Sequence, residues 1–152
     1  MPRALRIRPA RASDLETLVA FNRAMAHETE RKRLDAATVR RGVRRALADA
    51  GRGRYLVAER GGRVAGALLL TREWSDWRDG WFWWIQSVYV APPERRRGVY
   101  AALHRAVRAR ARAARDVVGV RLYVERRNRR AQRVYAALGM QPAGYLVFEQ
   151  RG

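Results

Sequence analysis

Two stretches of this 152-residue chain combine residue types and spacings that could do chemistry. The first is Ser87 to Val107, SVYVAPPERRRGVYAALHRAV. Its β-rich start, Ser87–Val90, is stopped by Pro92 and Pro93, which donate no ladder hydrogen bonds. Arg95, Arg96, Arg97 and Gly98 follow; then Tyr100, Leu103, His104, Val107 and Ala111 recur at helical spacing. A strand, a Gly loop and a helix start make an anion site. Glycine lets a ligand approach the backbone, and the free N–H groups of the first helical turn point at it. The arginines add positive charge, and phosphate is the anion such sites most often hold. The stretch is neither a P-loop nor a dinucleotide fingerprint, because Gly-Lys-Ser/Thr and G-x-G-x-x-G are both missing. A capped helix start with solvated arginines is the plainer alternative. The second stretch runs from Asn128 to Tyr135. Their spacing is close to two helical turns, so a capping Asn and a Tyr share one helix face. A core tyrosine on an amphipathic helix is the plainer reading there.

The elements that must hold these stretches are legible in order. Leu5–Pro9 alternates apolar residues with Arg and reads as a strand. Ser13 and Glu16 form a capping-box pattern for a first helix, with Leu15, Leu18, Val19, Phe21 and Met25 at helical spacing. Asp35 caps a second helix carrying Val39, Val43, Ala46 and Leu47. Tyr55–Ala58 and Val64–Leu70 form a hairpin closed at Gly61-Gly62. Trp81–Val90 is the longest strand and is bulky on both faces, as in a sheet covered on both sides. A third helix runs from about Gly98 to Arg115, a strand from Val118 to Val124, and a fourth helix follows Asn128. Gly139 ends that helix, and Tyr145–Phe148 reads as a last strand. Six strands and four helices, with strands both adjacent and alternating with helices, predict an α/β domain with a mixed sheet.

Composition narrows the classes further. The length fits one domain with a real core. The chain has no Cys and two His, so it lacks a disulfide framework, a Cys nucleophile and a metal-ligand cluster. No apolar run approaches the roughly 18–20 residues of a membrane span, and no signal-peptide pattern follows the N-terminal arginines. These features favour a cytoplasmic protein without a membrane partner. The net charge of +19 attracts polyphosphates and nucleic acid. The basic residues are spread along the chain and Lys32 is the one lysine, a pattern that compositional bias also produces. Nucleic acid is therefore a disfavoured but open partner.

Arg95-Arg96-Arg97-Gly98-Val99-Tyr100 after a strand, and Asn128-x-x-Ala131-x-x-x-Tyr135-x-x-x-Gly139-Met140 about 30 residues on, together resemble the GNAT family of N-acetyltransferases. The family's motifs are Arg/Gln-x-x-Gly-x-Gly/Ala and Asn-x-x-Ala-x-x-x-Tyr-x-x-x-Gly-Phe, and the order of elements fits from Leu5 to Phe148. The resemblance implies a single three-layer domain over residues 1–152 that uses acetyl-CoA. Backbone N–H groups around Arg95–Tyr100 would hold the pyrophosphate of coenzyme A. Main-chain groups of the Val88–Tyr89–Val90 segment would pair with the pantetheine arm, and Asn128 would hydrogen-bond the cofactor. Tyr135 would be the general acid for the leaving thiolate.

Three departures accompany the match. Tyr100 stands where the family has a second small residue, which predicts a side chain in or beside the phosphate region. The chain runs out just after Phe148, so the sheet edge is shorter or completed by a partner subunit in a homodimer. The strand before the Gly loop carries Trp83, Trp84 and Gln86 and no carboxylate. The proton of the attacking amine must then go elsewhere. Glu125, Glu73 and Glu28 are candidates, and Glu125 joins Tyr135 as the expected catalytic pair. Trp74, Trp77, Trp84 and Gln86, in an unusually aromatic segment, are the expected acceptor contacts, suited to a flat or cationic amine. Trp residues filling a wide core or a dimer contact are the plainer reading. The implied activity is acetyl transfer to a small-molecule or protein amine by direct attack. A catalytically weak acyl-CoA sensor and a basic nucleic-acid-associated protein are the competing functions.

Overall fold

The computed structural model describes residues 3–152. Five strands form one sheet in strict chain order: β1 (Leu5–Pro9), β2 (Arg54–Arg60), β3 (Arg63–Ser75), β4 (Gly80–Val90) and β5 (Val117–Leu122). The first four pair antiparallel, each joining its sequence neighbour, and β5 lies parallel to β4. A parallel neighbour needs a crossover, and α3 (Val99–Ala113) supplies it. Helices α1 (Leu15–Glu30) and α2 (Ala36–Ala48) join β1 to β2, and α4 (Arg129–Ala137) follows β5.

The sheet is buried on both faces where it matters. Leu56, Leu68, Leu70 and Ile85 pack with Val99, Leu103 and Val107 of α3. On the other face Tyr55, Val57 and Ala67 pack with Leu18 and Val19 of α1 and Val43 of α2. This is why Tyr55–Ala58 is an unbroken apolar run: alternate residues enter different cores. The three layers are α3 on one side, the sheet, and α1 with α2 on the other.

Three expectations are corrected here. The predicted sixth strand, Tyr145–Phe148, forms no strand: the segment pairs with nothing among the described residues, and its four side chains are exposed. The sheet therefore has five strands. The cap at the start of the first helix is Asp14, not the Ser13–Glu16 pair. Asp14 closes a single 3-10 turn over Ala12–Asp14 by accepting from the Arg11 N–H at 2.7 Å. Glu16 is thereby left on the surface, where it takes both ends of the Arg40 guanidinium at 2.9 and 2.8 Å. The third concerns the second hairpin strand, β3, which runs five residues past Leu70, to Ser75, because Gly80–Trp84 offers those residues a partner. The remaining caps follow the pattern. The Asp35 carboxylate accepts from Thr38 N–H at 2.9 Å, and the Asn128 side chain accepts from Ala131 N–H at 3.1 Å. No helix among the described residues is long and apolar enough to cross a membrane.

Candidate active site

The site begins with a defect in β4. Its pairing with β3 slips between Ala67 and Leu69: Ala67 faces Tyr89 and Leu69 faces Gln86, so Ser87 and Val88 together oppose Leu68. Ser87 sits at φ 51°, and two residues against one is a bulge that bends the strand. Pairing of β4 with β5 ends at the same place, at Ile85↔Leu122. β5 itself ends at Leu122, so beyond this point β4 has no strand neighbour on that side among the described residues. The main chain of Gln86–Val90 faces a cleft on that side instead of a strand. Gln86, Ser87 and Val88 line the cleft from β4, Tyr123 from just past β5, Met25 from α1 and Tyr135 from α4.

At the far end of β4 lies the Gly loop. Arg96 (φ 62°) and Gly98 (φ 76°) are both left-handed, with Arg97 between them. Alternation of this kind gathers successive N–H groups on one concave side, a shape that holds anions. The N–H groups of Arg96, Arg97, Gly98, Val99 and Tyr100 donate no well-formed hydrogen bond among the described residues. They are the orphan donors of the α3 N-terminus, where the helix dipole also favours negative charge. A Cβ built on Gly98 meets no atom within 4 Å, so the requirement for glycine is its backbone angle and the open space above it.

The neighbouring arginines divide their labour. Arg95 bolts the loop to α1: it donates to Glu28 Oε2 at 2.8 Å and, through Nε, to the Val90 carbonyl at 3.0 Å. Tyr89 donates to the other Glu28 oxygen at 3.1 Å, and its ring lies against Phe21. The side chains of Arg95 and Tyr89 are therefore committed to the scaffold. Arg97 shares Glu94 with Arg60, at 3.3 and 3.0 Å. Arg96 makes no ion pair among the described residues, unlike Arg95 and Arg97 on either side of it.

Tyr100 takes a course that its place in the loop does not predict. Its side chain engages His104 of α3 and Tyr135 of α4. Its hydroxyl is 3.0 Å from His104 Nδ1, and its ring meets that of Tyr135 edge-to-face at 5.5 Å. A side chain one turn before His104 on the same helix is drawn to that partner, since residues four apart share a face. Tyr135 is half-buried, and burial pushes its phenol above the ordinary tyrosine range. Burial, then the nearby Tyr135, does the same to Tyr100. Asn128 spends its carbonyl oxygen on the α4 cap, leaving its amide N–H groups to donate.

The residues read as acceptor contacts fall on two faces. Side chains alternate along β4, and Trp83 and Ile85 belong to the α3 core. Trp84 and Gln86 therefore stand on the opposite, α1 side. There Gln86 donates to Thr71 Oγ1, Trp84 Nε1 donates to Glu73 at 2.9 Å, and Trp84 stacks on Tyr123 at 4.5 Å. The Arg121 guanidinium of β5 lies over the Phe82 ring, 3.6 Å from its centroid, and is 3.5 Å from Glu73. Trp74 is on the other face, edge-on to Trp81 at 4.9 Å, and Trp77 projects from the β3–β4 turn at 88% exposure. The fold thus brings Trp84 and Gln86 together and separates Trp74 and Trp77 from them. Tyr123 and Arg121 escaped the sequence reading. Their shared parity along β5 was the available signal, but it acquires meaning only once β5 is known to lie beside β4.

The candidate bases are also dispersed. Glu28 is held by Tyr89 and Arg95, and Glu73 by Trp84 and Arg121. Glu125 is exposed in the loop after β5, where its carboxylate accepts from Arg127 N–H at 2.8 Å.

A bulged β4 without a strand neighbour on the β5 side past Ile85, a cleft beside it and a Gly loop at its end form one continuous candidate site. The sequence profile of the Acetyltransferase (GNAT) family matches residues 17–140, and the chain belongs to that family. Among solved structures it is similar to a possible acetyltransferase from Clostridium difficile 630, with 39% identity, TM-score 0.92 and 97% of each chain covered. It also resembles a GCN5-related N-acetyltransferase from Ralstonia eutropha JMP134, at 25% identity and TM-score 0.77, covering 98% of this chain and 100% of that one. A predicted acetyltransferase from Clostridium acetobutylicum, solved with acetyl-CoA, shares the fold at 18% identity and TM-score 0.77 over 96% of both chains. A search of curated protein sequences found no match.

Proposed function

We propose that this protein transfers an acetyl group from acetyl-CoA to a primary amine by direct attack. One observation carries the reading. The unpaired edge of Gln86–Val90 leads from the orphan N–H groups of Arg96–Tyr100 to a cleft that Tyr135 lines from the other side. An extended, amide-bearing chain with a pyrophosphate at one end matches that sequence of partners. Bound there, acetyl-CoA supplies an activated acyl group. The loop N–H groups and Arg96 hold its phosphates, main-chain groups of Val88 and Val90 pair with its amides, and the Asn128 amide donates to it. Tyr135 keeps its phenolic proton ready for the departing sulfur. In the same reading Glu125, two residues beyond the cleft-lining Tyr123, takes the amine's proton through water. Trp84, Tyr123 and Gln86 border the acceptor, which suits a flat or cationic amine.

Calorimetric titration with acetyl-CoA, beside ATP at equal ionic strength, tests the cofactor half. Saturable 1:1 binding that favours acetyl-CoA and persists in moderate salt is expected. Equal, salt-sensitive binding of both would leave the loop as an electrostatic trap for a protein of charge +19. Thiol release with tryptamine, spermidine, L-lysine, kanamycin and a peptide with a free N-terminus tests the acceptor half. Tight binding without turnover of any amine favours an acyl-CoA sensor. Gly98→Val should cost about 1–2 kcal/mol of stability, for a β-branched residue at φ 76°. It should also weaken acetyl-CoA about tenfold or more, the loss from displacing one charge-assisted hydrogen bond.

We read the C-terminal segment as the contact to a second copy. Tyr145, Leu146, Val147 and Phe148 are consecutive and exposed, with Phe148 at 92%. They run near the open edge of β5, where Tyr145 reaches Arg121 at 5.6 Å. Light scattering should find a dimer for the native chain and a monomer for Leu146→Asp/Phe148→Asp. A native monomer at micromolar concentration removes this reading.

A further inference from the structure

The general acid sits on the least anchored helix of the fold. No residue of α4 is buried, so its own packing does little to hold the Tyr135 ring in one place. Something else must, if the phenol is to meet a leaving sulfur within a few tenths of an ångström. The neighbouring ring is Tyr100, and it is fixed. Its hydroxyl is bonded to Nδ1 of His104, a residue 2% exposed in the middle of α3. His104 Nε2 is buried and has no partner among the described residues, so the bond to Tyr100 is the imidazole's single hydrogen bond. Burial, with Arg108 nearby, keeps that imidazole below the usual histidine range and hence neutral. A neutral ring with one satisfied nitrogen tethers the Tyr100 hydroxyl firmly, since losing it would strand a second buried nitrogen.

We propose that Tyr100 is a positioning residue: anchored by His104, it presents a rigid edge-to-face surface that orients Tyr135 toward the β4–β5 cleft. It replaces a small side chain of the family's motif, so the device belongs to this chain. The proposal rests on the reading of Tyr135 as proton donor.

The test uses the full chain with three variants and two readouts. The first is kcat and KM for acetyl-CoA with the fastest amine of the panel above. The second needs neither substrate: the chain is labelled with 13Cζ-tyrosine, and the Tyr135 line is assigned by its loss in Tyr135→Phe. Tyr100→Phe keeps the ring and removes the tether; Tyr100→Leu removes both. We expect kcat to fall about tenfold in Tyr100→Phe and about a hundredfold in Tyr100→Leu, the scale of a slight misplacement of a reacting group. KM should stay within about twofold, because cofactor contacts are untouched. The Tyr135 line should shift and broaden in both. Two outcomes overturn the proposal alone: an unmoved Tyr135 line in both variants, whatever kcat does, or unchanged kcat while Tyr135→Phe is inactive. Full activity of Tyr135→Phe instead overturns the underlying reading. If Tyr100→Leu fails to fold, as judged by circular dichroism, Tyr100→Phe carries the decision.

Discussion

Replacing Tyr135 by Phe is expected to lower kcat by about 10²–10⁴-fold, the usual contribution of a positioned general acid, while acetyl-CoA affinity measured by calorimetry stays within about twofold. The substitution removes one oxygen and keeps the ring, so the packing against Tyr100 at 5.5 Å survives. What disappears is a proton. The thiolate leaving from an acetyl thioester has a conjugate acid of pKa near 8.5, and a phenol near 10 can protonate it as the bond breaks. Burial raises the Tyr135 phenol further. The sign matters: a raised value keeps the proton in place through neutral and mildly alkaline pH. The acid form therefore persists through that range, and any decline in rate within it belongs to another group. Loss of cofactor affinity in parallel with kcat would mean that Tyr135 helps build the cleft. Undiminished turnover would remove it from the chemistry.

The second large effect is on stability and lies outside the cleft. Asp14→Asn should destabilise the fold by about 3–5 kcal/mol, the cost of breaking a buried pair by removing one partner. Arg8 and Asp14 are each 6% exposed, and the guanidinium meets the carboxylate through two bonds, at 2.8 and 3.1 Å. The same carboxylate closes the turn that starts α1. Glu59 is a weaker second partner of Arg8, at 3.3 Å, and half-buried. The bond from Arg8, opposed by burial and aided by the Arg11 N–H, holds the Asp14 carboxyl below the usual range. A depressed folded value contributes stability that is present above the unfolded pKa of about 3.9 and is lost as pH falls through the folded one. Urea unfolding at pH 7 should therefore separate wild type from variant widely, and the gap should narrow below about pH 4. A constant gap down to pH 2 would mean that the carboxylate's charge contributes nothing.

Helices α1 to α4 and strands β1 to β5 were legible in the residues because each announces itself locally. Period-two or period-3.6 apolar spacing, Asp35, Asn128 and the Gly61-Gly62 turn need no distant partner to be read. The phosphate-type loop and the Asn128–Tyr135 face were legible for the same reason, being short stretches whose geometry is set within a few residues. The bulge was not legible. Ser87 is ordinary in sequence, and its left-handed angle appears only where β4 slips by one residue against β3. The cleft lies where β5 ends beside that bulge, so it belongs to the sheet and to no single strand.

Tertiary structure also redistributed the side chains. An arginine beside a glycine loop reads as an anion ligand, yet Arg95 is spent on Glu28, sixty-seven residues earlier in the chain. Tryptophans clustered within eleven residues read as one pocket, yet strand alternation sends Trp84 to one face and Trp74 to the other. Tyr145–Phe148 has strand composition but no partner within the described chain, and a strand exists only when its hydrogen bonds are answered. By itself the sequence determined the helices, the hairpin, the anion loop and the family they spell, all decided by neighbours in the chain. Which arginine remains free, which aromatics meet, and how Tyr100 came to lie against Tyr135 were decided by contacts between residues far apart in sequence, which local pattern does not carry.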